Sequence, residues 1–163
     1  MKRPLLLLIM IGSALIVHGQ PGCILKKAYA YFTQNMPGNI FRDDKGNPVR
    51  PEPDIERTIY IETSGNKMPV LEKVLYNTVP MRTIISRIDG PTLRPGKLFL
   101  DGKDILITCK PGNMIWKIDP EVITGNKIVP VGCSHIIIRI RSGRKSCQLS
   151  LKQETELMGI PRY

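Results

Sequence analysis

What most constrains this chain is a row of alternating apolar residues folded back on itself by a glycine turn. In the stretch from His135 to Lys152, Ile136, Ile138 and Ile140 share one side of an extended strand, while Ile137, Arg139 and Arg141 share the other. Side chains alternate across a strand, so a period of two selects strand over helix. Ser142-Gly143 interrupts the run, and Cys147, Leu149 and Leu151 resume the alternation. A two-residue turn at Ser142-Gly143 predicts a hairpin in which Ile140, Ile138 and Ile136 face Lys145, Cys147 and Leu149. That row must be buried, with Lys145 at its mouth.

The same punctuation recurs upstream. Lys97–Leu100 and Lys103–Ile107 flank Asp101-Gly102, a strong hairpin signal because a type I′ turn needs positive φ at both central residues. Lys110-Pro111-Gly112-Asn113 has the chemistry of a type II turn, with proline setting φ and glycine supplying the left-handed position. That turn predicts Cys109 opposite Met114, Ile107 opposite Trp116 and Ile105 opposite Ile118. Further strands are predicted at Tyr29–Thr33, at Arg57–Thr63, and at Val70–Tyr76 and Val79–Arg87 across Asn77-Thr78. In Arg57–Thr63, Ile59 and Ile61 take one face, and Thr58, Tyr60 and Glu62 the other. Residues 35–54 and 89–96 are rich in Gly, Pro, Asp and Asn and predict loops. Only residues 121–125 and 155–159 suggest a turn of helix. Several short strands at this spacing predict an all-β fold. The expected form is an antiparallel β-sandwich, immunoglobulin-like in general shape, of about seven to nine strands. A small β-barrel is the alternative.

The first nineteen residues have a different character. Lys2 and Arg3 precede an apolar run from Leu5 to Val17, and Val17 and Gly19 suit the pocket of a signal peptidase. The expected division is a signal peptide over residues 1–19 and one all-β domain over 20–163, exported to the periplasm or the cell exterior, with a bacterial origin favoured. The apolar run falls short of the ~20 residues that span a bilayer. An acylated Cys23 would want an apolar residue and a small one where Gln20 and Pro21 stand.

Export changes how the four cysteines read. Cys23, Cys109, Cys133 and Cys147 form an even set with no CxxC spacing, which favours disulfides over a metal site. In a straight hairpin Cys133 lies opposite residue 152, five positions from Cys147. That is roughly 17 Å at ~3.4 Å per residue, too far for a bridge. The face analysis therefore predicts Cys109–Cys147 across the core and Cys23–Cys133 at the amino terminus.

Catalytic chemistry finds little footing. Removing the leader leaves only His135, which begins an apolar strand with no visible acid orienting it. Gly-x-Ser-x-Gly, a phosphate loop and a dinucleotide fingerprint are absent, and no cofactor or metal is expected. Asp43, Asp44 and Asn47 lack the spacing of a calcium loop and read as a polar turn. The chain carries a formal charge of +10, or +8 once Lys2 and Arg3 are removed.

The expected function is therefore a non-enzymatic binding or accessory module. The contact residues predicted are Arg139, Arg141, Arg144 and Lys145 around the last hairpin, with Tyr60, Tyr76, Arg82 and Arg87 on outward faces. Arginines two apart on one strand project together, a geometry suited to an acidic protein, an anionic glycan or a membrane surface. Nucleic acid is not expected, because aromatic stacking platforms are scarce among nine aromatic residues. A small secreted hydrolase and a carrier of an anionic lipid or glycan are the alternatives.

Overall fold

A computed structural model of the chain describes residues 22–36, 41–49, 53–123, 129–132 and 135–159. Residues 1–19, expected as a signal peptide, and Cys133 lie outside the described residues. Alternation carries the chain through β1 (Leu25–Asn35), β2 (Phe41–Arg42), β3 (Pro48–Val49), β4 (Asp54–Ser64), β5 (Val70–Tyr76) and β6 (Val79–Ile88). It continues through β7 (Thr92–Leu93), β8 (Ile107–Thr108), β9 (Asn113–Val122), β10 (Ile136–Ser142), β11 (Lys145–Leu151) and β12 (Thr155–Leu157). There is no helix among the described residues. Residues 155–157, expected as a helical turn, form β12 instead. Residues 121–122 complete β9, and residues 124–125 lie outside the described residues.

Eight strands make one curled sheet in the order β11-β10-β5-β6-β9-β4-β1-β12. Neighbours run antiparallel except β1 and β12, which are parallel. The sheet folds over at the β5–β6 hairpin, where only Leu75↔Pro80 and Tyr76↔Val79 pair. Beyond that corner β5 turns to β10 and β6 to β9. The two halves, β11-β10-β5 and β6-β9-β4-β1-β12, enclose one core, the expected all-β sandwich. Ile59, Ile61, Trp116 and Ile118 meet Val74, Tyr76, Ile136, Ile138 and Ile140 there. The corner turn has φ of 46° at Asn77 and 75° at Thr78, the two positive values a type I′ turn demands. Asparagine tolerates that region, whereas a β-branched threonine is strained in it.

A third layer covers the long half from outside. The segment from Asp89 to Lys110 crosses β1, β4 and β9, and its Leu93, Ile105, Ile107 and Cys109 pack on Tyr31, Tyr60, Ile115 and Leu157. Strand β4 is thus buried on both faces, and Tyr60 and Glu62 are 8% and 1% exposed although they point away from the core. Glu62 Oε1 accepts hydrogen bonds from Lys110 N, at 3.1 Å, and from the Asn113 amide, while Oε2 faces the Lys27 ammonium at 3.6 Å. The carboxylate clamps the Lys110–Asn113 turn to the sheet.

The turn signals hold, but their flanks differ in three places. Gly112 has φ of 81° and Asn113 N donates to Lys110 O at 3.0 Å, as the type II reading requires. The segments on either side do not pair. Both edges of β9 are taken by β4 and β6, so Ile107–Thr108 pairs with Thr92–Leu93. Around Asp101-Gly102 the bridge is Lys97↔Asp104, Leu98 N donates to Lys103 O, and Gly102 N donates back to Leu98 O. That is a wider loop than the tight turn expected, and it leaves Phe99 and Leu100 at 62% and 94% exposure. In the last hairpin the turn is Gly143-Arg144, and Ile140, Ile138 and Ile136 face Cys147, Leu149 and Leu151. Gly143 has φ of 60° and Arg144 is not among the positive-φ residues, which places glycine first as a type II′ turn prefers. The shift is two residues, so each side chain keeps its expected face.

The disulfide is Cys23–Cys147, with Cα atoms 5.6 Å apart. It replaces both expected pairings. Cys109 belongs to the covering segment, on the opposite side of the sheet from Cys147, and its buried thiol points at Asn113 O at 3.6 Å. The sheet's curl brings the start of β1 to β11, and the bridge joins them.

Candidate functional site

The outward face of β5, β10 and β11 is built by the register of the last hairpin. Ile136, Ile138 and Ile140 fill the core, so Ile137, Arg139 and Arg141 must point away from it. Arg139 stands between Gln148 on β11 and Lys73 on β5. Its guanidinium donates to Gln148 Oε1 at 2.8 Å. Arg141 stands beside Ser146, and its Nε lies 3.3 Å from Glu72 Oε1. Ser146 Oγ donates to the same carboxylate. Arg144 and Lys145 extend the charge to the exposed hairpin tip.

The result is one exposed face carrying Lys73, Arg139 and Arg141 against a single carboxylate, Glu72, with Arg144 in the adjoining turn and Lys145 at the end of the inward row. Hydroxyl and amide groups of Ser146, Gln148 and Ser150 flank β10 on the neighbouring strand β11. Lys73 was not legible in the sequence. It joins through the pairing of β5 with β10, a contact 66 positions long across the Lys73↔Arg139 rung, and no local pattern encodes it. Arginine supplies a planar fork of donors, so such a face suits carboxylates, sulfates and phosphates.

The other expected contact residues are placed elsewhere. Tyr76 is fully buried in the core, where its ring lies 5.4 Å from the Arg57 guanidinium carbon. Tyr60 is covered by the third layer, with its ring 6.0 Å from that of Tyr31. Neither presents an aromatic surface to a ligand. Alternation alone put Tyr60 outside, and the overlying segment closed over it. Tyr76 has the parity of Val74, which faces inward once β5 pairs with β10. Arg82 and Arg87 are exposed on β6 in the other half, across from Glu121 and beside Asp89, and do not join the hairpin face. Burial pushes the phenols of Tyr29, Tyr31 and Tyr60 up from the ordinary tyrosine range, most strongly at Tyr31.

Chemistry beyond ion binding is thin. His135 is exposed at the start of β10, and its carbonyl accepts from Asn77 N at 2.8 Å. No group of three or more metal-ligating side chains occurs among the described residues. Asp43 accepts from Lys45 N, Asn47 N and the Asn47 amide, the polar turn expected there. Those bonds hold its carboxyl below the usual range. No protein-family model matches the chain, and no curated protein or solved structure does.

Proposed function

We propose that this protein is an exported, non-catalytic module that binds an anionic glycan through the outward face of β5, β10 and β11. The observation that carries the reading is the position of the arginines. Basic residues on a sheet edge are readily explained as a guard against edge-to-edge pairing. Arg139 and Arg141 stand on β10, an interior strand with partners on both sides. Arg139 also faces Lys73 across the ladder, and like charges directly opposite cost stability. A repulsive rung away from the edge is relieved by an anion laid over it. The serine and glutamine side chains beside the arginines on β11 suit a sulfated or carboxylated sugar. The leader and the Cys23–Cys147 bridge support export.

The test is retention on immobilised heparin across a salt gradient. Counterion release makes the affinity fall steeply with salt in proportion to the charges engaged. Arg139→Glu with Arg141→Glu should elute at markedly lower salt than the unaltered chain. Lys97→Glu with Lys103→Glu, on the distant exposed loop, should elute close to it. Equal shifts in the two variants would reduce the effect to net charge and sink the assignment of this face.

A further inference from the structure

A second feature lies in the other half of the sheet. The β4–β9 ladder runs from Ser64↔Asn113 to Ile59↔Ile118 and stops there. Both strands continue. β4 keeps its partner β1 as far as Asn35↔Asp54, and β9 keeps its partner β6 as far as Met81↔Val122. The sheet therefore forks, and residues 54–58 and 119–122 each turn one edge toward the gap. Among the described residues no backbone pairing crosses it.

The fork has two physical causes. Extending the register would set Arg57 opposite Pro120, and proline has no N–H to give a ladder. Arg57 also acts as a wedge on the core side. Its Nε donates to Glu154 Oε1 at 3.0 Å, and one terminal nitrogen donates to Val129 O and Pro130 O at 3.1 and 3.0 Å. The Arg57 side chain is 5% exposed and its guanidinium is tied to two other segments, so the strands cannot close by moving it aside. The cleft so formed measures about 440 Å³ and is lined in part by Met81.

Its rim has the opposite charge to the rest of the chain. Glu56, Asp119 and Glu121 border the cleft with Lys117 and Arg57; Lys117 is paired to Asp119 at 2.8 Å and Arg57 to Glu154 at 3.0 Å, while Arg82 stands across the ladder from Glu121. In a chain of formal charge +10 this is a local acidic surface. We infer that the fork between β4 and β9 binds an extended, basic peptide segment of a partner protein, which adds as a strand. Main-chain hydrogen bonds to residues 54–58 or 119–122 would supply affinity, and the carboxylates would select lysine or arginine on the outward positions. This site is independent of the glycan-binding face.

The experiment is a fluorescence anisotropy titration of the full disulfide-bonded chain. The probe is a labelled, capped hexapeptide alternating lysine and valine. Two comparison peptides are its counterpart with alternate backbone nitrogens methylated and a glutamate–valine version. The basic peptide should bind saturably. Backbone methylation should weaken it about tenfold, because it removes strand hydrogen bonds and keeps the charge. The acidic peptide should not bind. Glu56→Lys with Glu121→Lys, both at exposed positions, should weaken binding by a similar factor. Arg139→Glu with Arg141→Glu should leave it unchanged. No saturable binding of the basic peptide, or equal binding of the methylated one, would overturn the inference. So would full affinity in the Glu56→Lys, Glu121→Lys variant.

Discussion

The two halves of the curled sheet obey the same alternation and reach opposite outcomes on their outer faces. In β5-β10-β11 that face meets water, and Arg139 and Arg141 stand on it with Lys73. In β4 and its neighbours the outer face is roofed by the 89–110 segment, and Tyr60 and Glu62 vanish beneath it. A half-polar strand is therefore compatible with complete burial when each polar group finds a partner. Glu62 finds Lys110 N and Asn113, and the Trp116 indole finds Thr63 Oγ1 at 2.8 Å. The exposed half keeps its charges in solvent and leaves them available. The roofed half spends its polar groups on holding the roof.

The sharpest perturbation joins the halves. Cys23→Ser should cost about 4 kcal/mol, because the bridge closes a loop with a separation of 124 residues in the unfolded chain. Urea unfolding with and without reductant measures it, and an equal midpoint for both would show that the curl holds without the staple. Next is a contrast of two ion pairs. Glu154→Ala should cost about 3 kcal/mol by stranding the buried Arg57 guanidinium. Glu72→Ala, removing the partner of half-exposed Arg141, should stay within about 1 kcal/mol. Similar costs at both places would erase the distinction between the halves.

Alkaline pH probes the roof selectively. The Tyr29, Tyr31 and Tyr60 phenols are raised above the ordinary tyrosine value of 10.0 chiefly by burial. Below pH 10 they are protonated in both folded and unfolded chains, and their contribution is fully present. Above it the unfolded chain releases protons that the folded chain retains, so stability falls as pH rises. Urea midpoints should decline above pH 10, and tyrosinate absorbance should appear late and together with unfolding. Early, reversible ionisation of Tyr29, Tyr31 and Tyr60 would mean the roof is open. The smallest effect is local to the corner. Thr78→Gly should raise stability by about 1 kcal/mol, since glycine accepts the left-handed φ that strains threonine.

The inward row of the last hairpin was legible because burial there depends only on alternation, which a two-residue slip preserves. Its register was not, since Ser142-Gly143 and Gly143-Arg144 both satisfy a two-residue turn until cross-strand packing selects one. The arginines of the candidate face followed directly from that parity. Lys73 did not, because its place rests on β5 pairing with β10. The disulfide failed for the same reason. Cys109 and Cys147 both alternate inward locally, yet their inward sides belong to different layers.

Local chemistry thus settled the all-β character, the neighbourhood of most turns and the side of each side chain in the last hairpin, because φ limits and the two-residue period act over a few neighbours. Folding in three dimensions chose the strand order, the Cys23–Cys147 bridge, the roof over Tyr60 and the fork at Pro120. Those outcomes turn on which strand edges meet and which faces are covered. Such contacts lie tens of residues apart, beyond the reach of any short-range pattern.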